Sequence, residues 1–154
     1  MPPILILAPS ATTADEPRLA AMAHTSAAIG ASPIVVALPP GVEPPAGSRV
    51  VRVKPSASVI GAIRLGMAQL TNTTATAAIL WPLAADSVSA STLLSVLSAS
   101  ALDPHALVAV AGPLDDAPLL VPRDAWLELV TLGEGGLDAL AARRRTVRVD
   151  ATPV

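Results

Sequence analysis

Short apolar runs alternate along the chain with segments in which apolar residues recur every three or four positions. The short runs, bounded by Pro, Gly, Ser or Asn, are typical of strands covered on both faces, and the second pattern is typical of helices that pack through one face. We predict strands at 4–8, 33–38, 49–53, 77–83, 107–110, 119–121 and 146–149. Helices are predicted at 13–30, 58–70, 89–98, 124–131 and 137–145.

Several helix ends carry local signals. Thr13 and Glu16 have the spacing of a capping box, and Gly30 is suited to end the same helix. Ser58 is placed to cap the second helix. The run 143–145 consists of three arginines, which would complement the negative end of the last helix dipole.

Strands that alternate with helices through short loops predict an α/β fold. We expect a three-layer sandwich with a mostly parallel central sheet, which is a Rossmann-like architecture. There is no internal repeat and no long linker, so residues 1–154 are predicted to form a single domain.

The composition indicates how the core is built. Hydrophobic residues make up 52% of the chain and charged residues only 14%, and the aromatic residues are two tryptophans. The core must therefore consist of Leu, Val, Ile and Ala, which requires close packing of the backbone. Trp81 and Trp126 are predicted to be large core residues.

Composition also excludes several classes of function. The chain has no Cys, and its two histidines, His24 and His105, are far apart, so thiol, zinc and iron–sulfur chemistry are excluded. A net charge of -2 without Phe or Tyr argues against a nucleic-acid partner. No apolar run is long enough to cross a membrane, and the N-terminus lacks the basic start of a signal peptide, so we expect no membrane association and a cytoplasmic location.

In this architecture, ligands bind at the carboxyl ends of the strands. The loop at 8–13 contains no Gly, which excludes a dinucleotide fingerprint and a P-loop, and Lys54 is the only Lys of the chain. Asp86, after the predicted central strand, has the best position for a Mg²⁺ ligand, although a turn or helix-capping acid is the more common role. Asp15 and Glu16 are explained by the helix dipole.

Taken in order, five segments resemble the MobA-like nucleotidyltransferases, which attach nucleotides to the molybdenum cofactor or to small phosphorylated substrates. The segment SVIGAIRLGM at 58–67 resembles that family's S-[IL]-x-x-G-L helix start. ILWPLAADSV at 79–88 resembles its central strand, l-w-P-v-D-x-P-x-V. PLLVPRDAW at 118–126 resembles the G-H-P-v-l-x-x-r passage, GEGGL at 133–137 resembles g-d-x-G-a-r, and Thr152-Pro153 resembles the end of D-I-D-T-P.

The resemblance implies a nucleotide-diphospho-sugar transferase-like fold and, in an active member, the use of Mg²⁺ and a nucleoside triphosphate. This chain departs from the family pattern at its functional positions. The glycine-rich G-x-S-x-R-M-G-x-x-K loop is missing, and Ala84 stands where the family has its metal-binding Asp, with Asp86 two residues later. The His of G-H-P is replaced by Ala117, and Ala151 precedes Thr152 where an acid is expected.

Two functions remain open. The first, which the lost positions favour, is a noncatalytic domain that uses no cofactor and acts through protein contacts, as a homo-oligomer or as the partner of an active enzyme. The second is a divergent Mg²⁺-dependent nucleotidyltransferase or nucleotide-binding protein with a rearranged site. Its candidate nucleotide-binding residues are Ser10, Arg18, Ser58 and Arg64, and its candidate metal ligand is Asp86.

Overall fold

A computed structural model describes residues 2–55, 57–133 and 136–151 of the chain. The predicted features at Glu134, Gly135 and Thr152-Pro153 lie outside these ranges. The strands are β1 (Ile4–Leu7), β2 (Ile34–Leu38), β3 (Arg49–Arg52), β4 (Ala77–Pro82), β5 (Leu107–Val110), β6 (Leu119–Pro122) and β7 (Thr146–Val149). The helices are α1 (Glu16–Ala28), α2 (Val59–Ala68), α3 (Ala90–Leu102), α4 (Trp126–Val130) and α5 (Gly136–Arg143).

The seven strands form one sheet in the order β3-β2-β1-β4-β6-β5-β7. All neighbouring pairs are parallel except those that involve β6, which runs antiparallel to both β4 and β5. After β1, the chain places β2 and then β3 on one side of β1, and it places β4 on the other side of β1. The strand order therefore reverses between β1 and β4, which is where open α/β sheets bind ligands.

The sheet is covered on both faces, as the continuous apolar runs predict. Leu5 and Leu7 of β1 lie in a core with residues of α2, α4 and α5, whereas Ile4 and Ile6 lie in a second core with residues of α1 and α3. Successive side chains of a strand point to opposite faces, so one buried strand contributes to both cores. The three-layer, mostly parallel α/β fold predicted from the sequence is confirmed.

Small residues bring the layers close together. A Cβ atom placed on Gly66 of α2 would lie 2.3 Å from Leu5 Cδ1, so the helix rests directly on β1. Trp81 and Trp126 are both buried, as predicted. Each indole Nε1–H donates to a backbone carbonyl, that of Ala85 at 2.8 Å for Trp81 and that of Val121 at 3.1 Å for Trp126.

The structure corrects two predicted helix ends. The capping interaction before α1 lies one residue earlier than predicted, because the Asp15 carboxylate accepts the backbone N–H of Thr12 at 2.9 Å. A 3₁₀ turn at Thr13–Asp15 then leads into α1. The last helix ends at Arg143, and Arg144 lies beyond it and binds Asp124 and Glu128 at 2.7 and 2.8 Å.

The predicted cap of α2 is confirmed, and the predicted third helix is present but longer. Ser58 caps α2, since its Oγ accepts the Gly61 N–H at 3.1 Å. α3 continues four residues past the predicted end, to Leu102. Within the described ranges the longest helices have 13 residues, which is too few to cross a bilayer.

Candidate functional site

The candidate site lies at the edge of the sheet where the parallel strands end, which we call the carboxyl edge. The turn after β1 contains Ser10, which is exposed. α1 begins at this edge after β1, α2 begins there after β3, and the 3₁₀ turn Leu83–Ala85 follows β4. Ser10, Arg18, Ser58 and Asp86 were selected from separate segments of the sequence, and the topology brings all four segments to this edge.

Arg18 and Asp86 are in direct contact. Arg18 lies in the first turn of α1, and its Nε donates to Asp86 Oδ2 at 2.8 Å. Asp86 follows the 3₁₀ turn after β4, and its own backbone N–H donates to the Leu83 carbonyl at 3.1 Å. The pair therefore joins the loops after β1 and β4 across the point where the strand order reverses.

The Arg18 guanidinium has two further acceptors. Its Nη1 donates to Asp15 Oδ1 at 2.8 Å, and its Nη2 donates to the backbone carbonyl of Leu83 at 3.1 Å. The planar guanidinium presents several N–H groups in a fixed arrangement, which allows one side chain to bind three acceptors. Arg18 is therefore held between two carboxylates and a carbonyl.

These contacts keep the three side chains charged. Hydrogen bonding to Arg18 lowers the pKa of the Asp86 carboxyl below its ordinary value, against a smaller opposing effect of burial. The Thr12 backbone N–H is the largest cause of the lowered pKa of Asp15, and Arg18 contributes further. The same bonds, led by that to Asp86, raise the pKa of Arg18.

Asp15 is a site residue that the sequence reasoning missed. The helix dipole alone explains its position in the sequence, but Asp15 lies three residues before Arg18 and forms an ion pair with it. The i,i+3 spacing of an acid and an arginine at a helix start was the available signal.

Ser58 and Arg64 have structural partners of their own. The Ser58 hydroxyl caps α2. Arg64 donates from Nε to the Val130 carbonyl at 3.0 Å and from Nη2 to the Leu132 carbonyl at 2.7 Å. These bonds direct the Arg64 guanidinium to the end of α4, so Arg64 does not join Arg18 and Asp86.

A divalent metal does not fit the oxygen atoms present at the carboxyl edge. Asp86 and Asp15 each bind the Arg18 guanidinium, and the Leu83 carbonyl accepts from it as well. The carbonyl of Ala85, in the same turn, accepts the Trp81 indole N–H. Across the described ranges, no group of three or more His, Asp or Glu could hold a metal ion.

Two clefts lie at the opposite edge of the sheet. One has a volume of about 710 Å³ and the other about 630 Å³, and both are bordered by residues 73–76 and Pro104. The charged groups at the smaller cleft already have partners, since Arg123 donates to the carbonyls of Thr71, Thr73 and Ala75. Cleft size alone does not identify a site, and we place the candidate site at the carboxyl edge because the convergent charges lie there.

His105 borders the smaller cleft and has a partner that the sequence did not reveal. Its Nδ1 lies 2.9 Å from Asp124 Oδ2, and Asp124 also binds Arg144. The His105 side chain is 83% exposed. These polar contacts tie the segment before β5 to the turn before α4 and to the segment before β7.

Solved structures with a similar fold are known, whereas no protein family matches the sequence. Neither a protein-family model nor a curated protein matches the chain. Among solved structures, Rv0371c from Mycobacterium tuberculosis H37Rv is 17% identical with a TM-score of 0.75, over 99% of this chain and 90% of that one. A structure of Rv0371c in complex with manganese is 18% identical with a TM-score of 0.71, over 97% and 88% of the two chains.

Enzymes that use nucleotides have the same fold. A nucleotidyl transferase from Methanothermobacter is 16% identical with a TM-score of 0.71, over 99% of this chain and 88% of that one. A CMP:2-keto-3-deoxy-manno-octonic acid synthetase complexed with CTP is 14% identical with a TM-score of 0.67, over 97% and 90% of the chains. The chain therefore has a nucleotidyltransferase-like fold, and identities this low carry no further statement about its activity.

Proposed function

We propose that this protein is a noncatalytic member of the nucleotidyltransferase-like fold, related to the MobA-like group, that acts through protein contacts. The observation that carries this proposal is the arrangement of Arg18 between Asp15 and Asp86. Nucleotidyl transfer requires cations around the phosphates, and Mg²⁺ is the usual choice. Here the acid nearest to the end of β4 is neutralised by a side chain of the protein itself.

The loop after β1 supports the same proposal. It contains no glycine, and its residues from Pro9 to Thr12 are followed directly by the 3₁₀ turn that leads into α1. A phosphate cradle needs consecutive backbone N–H groups that point at the anion, which usually requires glycine. The Thr12 N–H is already bound to Asp15. The chain's only lysine, Lys54, is not in this loop.

Exposed leucines on three helices supply surface for a protein contact. Leu65 on α2 and Leu127 on α4 are 47% and 76% exposed, and these two helices pack against each other. Leu94 and Leu102 on α3, on the other face of the sheet, are 48% and 89% exposed. Contiguous apolar patches mark interaction sites, whereas single exposed leucines are ordinary, so the proposal depends on Leu65 and Leu127 acting together.

Sedimentation velocity over a range of protein concentrations tests this proposal. We expect a concentration-dependent dimer or larger species, which Leu65→Gln with Leu127→Gln weakens and Leu94→Gln with Leu102→Gln leaves unchanged. These exposed positions should tolerate Gln with little loss of stability. A strict monomer, together with affinity capture that recovers no specific partner, would contradict the proposal.

A second function is favoured by the location of the charged cluster. Arg18 and Asp86 lie at the carboxyl edge where the strand order reverses, which is the usual ligand position for this architecture. The nucleotide-using enzymes among the structural neighbours agree with this alternative. Under this alternative, the protein is a divergent nucleotidyltransferase or nucleotide-binding protein. It would then bind a nucleoside triphosphate in the presence of Mg²⁺, and Asp86→Ala would abolish that binding.

A further inference from the structure

We propose that Arg18 is the built-in cation of the carboxyl edge and that it excludes a divalent metal from Asp86. This inference rests on the proposed function because it concerns the same site. It goes further by assigning a specific role to one side chain and by predicting that a latent metal site lies beneath it.

One oxygen of each carboxylate and the Leu83 carbonyl are engaged by Arg18. Arg18 binds a different acceptor through each of its three nitrogens, namely Asp86 Oδ2, Asp15 Oδ1 and the Leu83 carbonyl. Mg²⁺ and Mn²⁺ prefer carboxylate and carbonyl oxygens, so the guanidinium occupies the atoms these ions would need. A metal beside Asp86 would have to displace Arg18 or lie next to its positive charge.

Access from solvent is not the obstacle. The side chains of Asp15, Asp86 and Arg18 are 20%, 30% and 42% exposed, so a hydrated ion can reach all three. Both carboxylates remain ionised at neutral pH, as a metal ligand must. We infer that the position of Arg18, and not access from solvent, keeps a metal away from Asp86.

Removing the guanidinium should create the metal site. Arg18→Gln keeps a polar side chain but removes the guanidinium and its charge, which leaves Asp86 Oδ2 and the Leu83 carbonyl without the cation that they bind. Asp86 and the Leu83 carbonyl would then be free to bind a Mn²⁺ ion that keeps several water ligands. Adding Asp86→Asn to the same variant should remove the site again.

The test is a Mn²⁺ titration of the full chain at pH 7, with the free ion measured by electron paramagnetic resonance. We expect no binding to the wild-type protein below about 1 mM and binding at least roughly tenfold tighter to Arg18→Gln. The double variant Arg18→Gln/Asp86→Asn should bind like the wild type. Arg143→Gln is the charge-matched control, because Arg143 is exposed and its Nε donates to the Ala139 carbonyl of its own helix.

Two results would overturn the inference. One is binding of Mn²⁺ to the wild-type protein that is lost in Asp86→Asn, a comparison that does not depend on whether Arg18→Gln folds. The other is a folded Arg18→Gln variant, with a wild-type circular dichroism spectrum, that gains no affinity for Mn²⁺. The proposed function is tested by a different result. Binding and transfer of a nucleotide without a divalent metal would contradict the noncatalytic function, but it would not contradict the exclusion of metal by Arg18.

Discussion

At the scale of single residues, Arg18 holds together the acidic groups of the carboxyl edge. Its guanidinium joins Asp15 on its own helix start to Asp86 in the turn after β4. The contact between Arg18 and Asp86 links residues 68 positions apart in the chain. Neither the apolar pattern nor any local motif specifies a contact between residues so far apart. The sequence therefore indicates Arg18 and Asp86 as candidates, but it does not show that they form an ion pair.

The pH dependence of stability follows from these pairs. The pKa of Asp86 is lower in the folded protein than in the unfolded chain, so the ionised carboxylate stabilises the fold above the unfolded value of about 4. That stabilisation is lost as the pH falls through the lower, folded value. Asp86→Asn should therefore lower the melting temperature at pH 7 and reduce the further loss between pH 5 and pH 3.

Melting curves by circular dichroism at these pH values would check this prediction. Asp115→Asn is the control, because Asp115 is exposed and lies in a separate 3₁₀ turn. An unchanged acid-induced loss of melting temperature in Asp86→Asn would show that the Arg18–Asp86 pair does not contribute to folding stability.

At the scale of elements, the contact of α2 with β1 depends on a single missing side chain. A methyl group on Gly66 would lie 2.3 and 2.6 Å from the two terminal carbons of Leu5. Leu5 is completely buried and lies in the middle of β1, so it cannot easily move aside.

Gly66→Ala should therefore destabilise the protein by about 1–3 kcal/mol through overpacking, even though Ala favours a helix by roughly 1 kcal/mol. Gly61→Ala is a matched control in the same helix, because the nearest atom to its added Cβ is Ser58 Oγ at 3.5 Å. That variant should be neutral or slightly stabilising. Urea unfolding of both variants measures the difference, and equal effects would contradict the tight contact of α2 with Leu5.

Most elements were predictable because their signals are local. The strand at 107–110 and that at 146–149 have the predicted bounds, since short apolar runs between turn residues leave few alternatives. The position of β6 was not predictable. Its antiparallel insertion between β4 and β5 is a long-range pairing, and a four-residue run of apolar residues carries no information about direction.

The candidate site was predictable only in part, for the same reason. Ser58 showed its capping role in the sequence, and the structure confirms it. Arg64 lies on the predicted helix, but its partners are the carbonyls at the end of α4, which no local pattern indicates. The role of Asp15 was visible in its spacing to Arg18 and was assigned to the helix dipole instead.

At the scale of the whole molecule, the protein combines a nucleotidyltransferase-like fold with a carboxyl edge at which Arg18 binds two acids. The aliphatic core, the reversal of strand order and the flanking helices preserve the architecture independently of the chemistry at that edge. Under the proposed function, the acids bound by Arg18 do not hold a triphosphate and its metal. The exposed leucines of the helical layers then provide the surface through which the protein is proposed to act.

The central claim is that the carboxyl edge does not work as a Mg²⁺-dependent nucleotide site. Isothermal titration of the wild-type protein with CTP, GTP and ATP, each with Mg²⁺, tests it most directly. We predict no binding tighter than about 100 µM, which corresponds to roughly 5–6 kcal/mol, for any of the three. Tighter binding of one nucleotide that requires Mg²⁺ and disappears in Asp86→Ala would contradict the claim and establish the enzyme-like alternative.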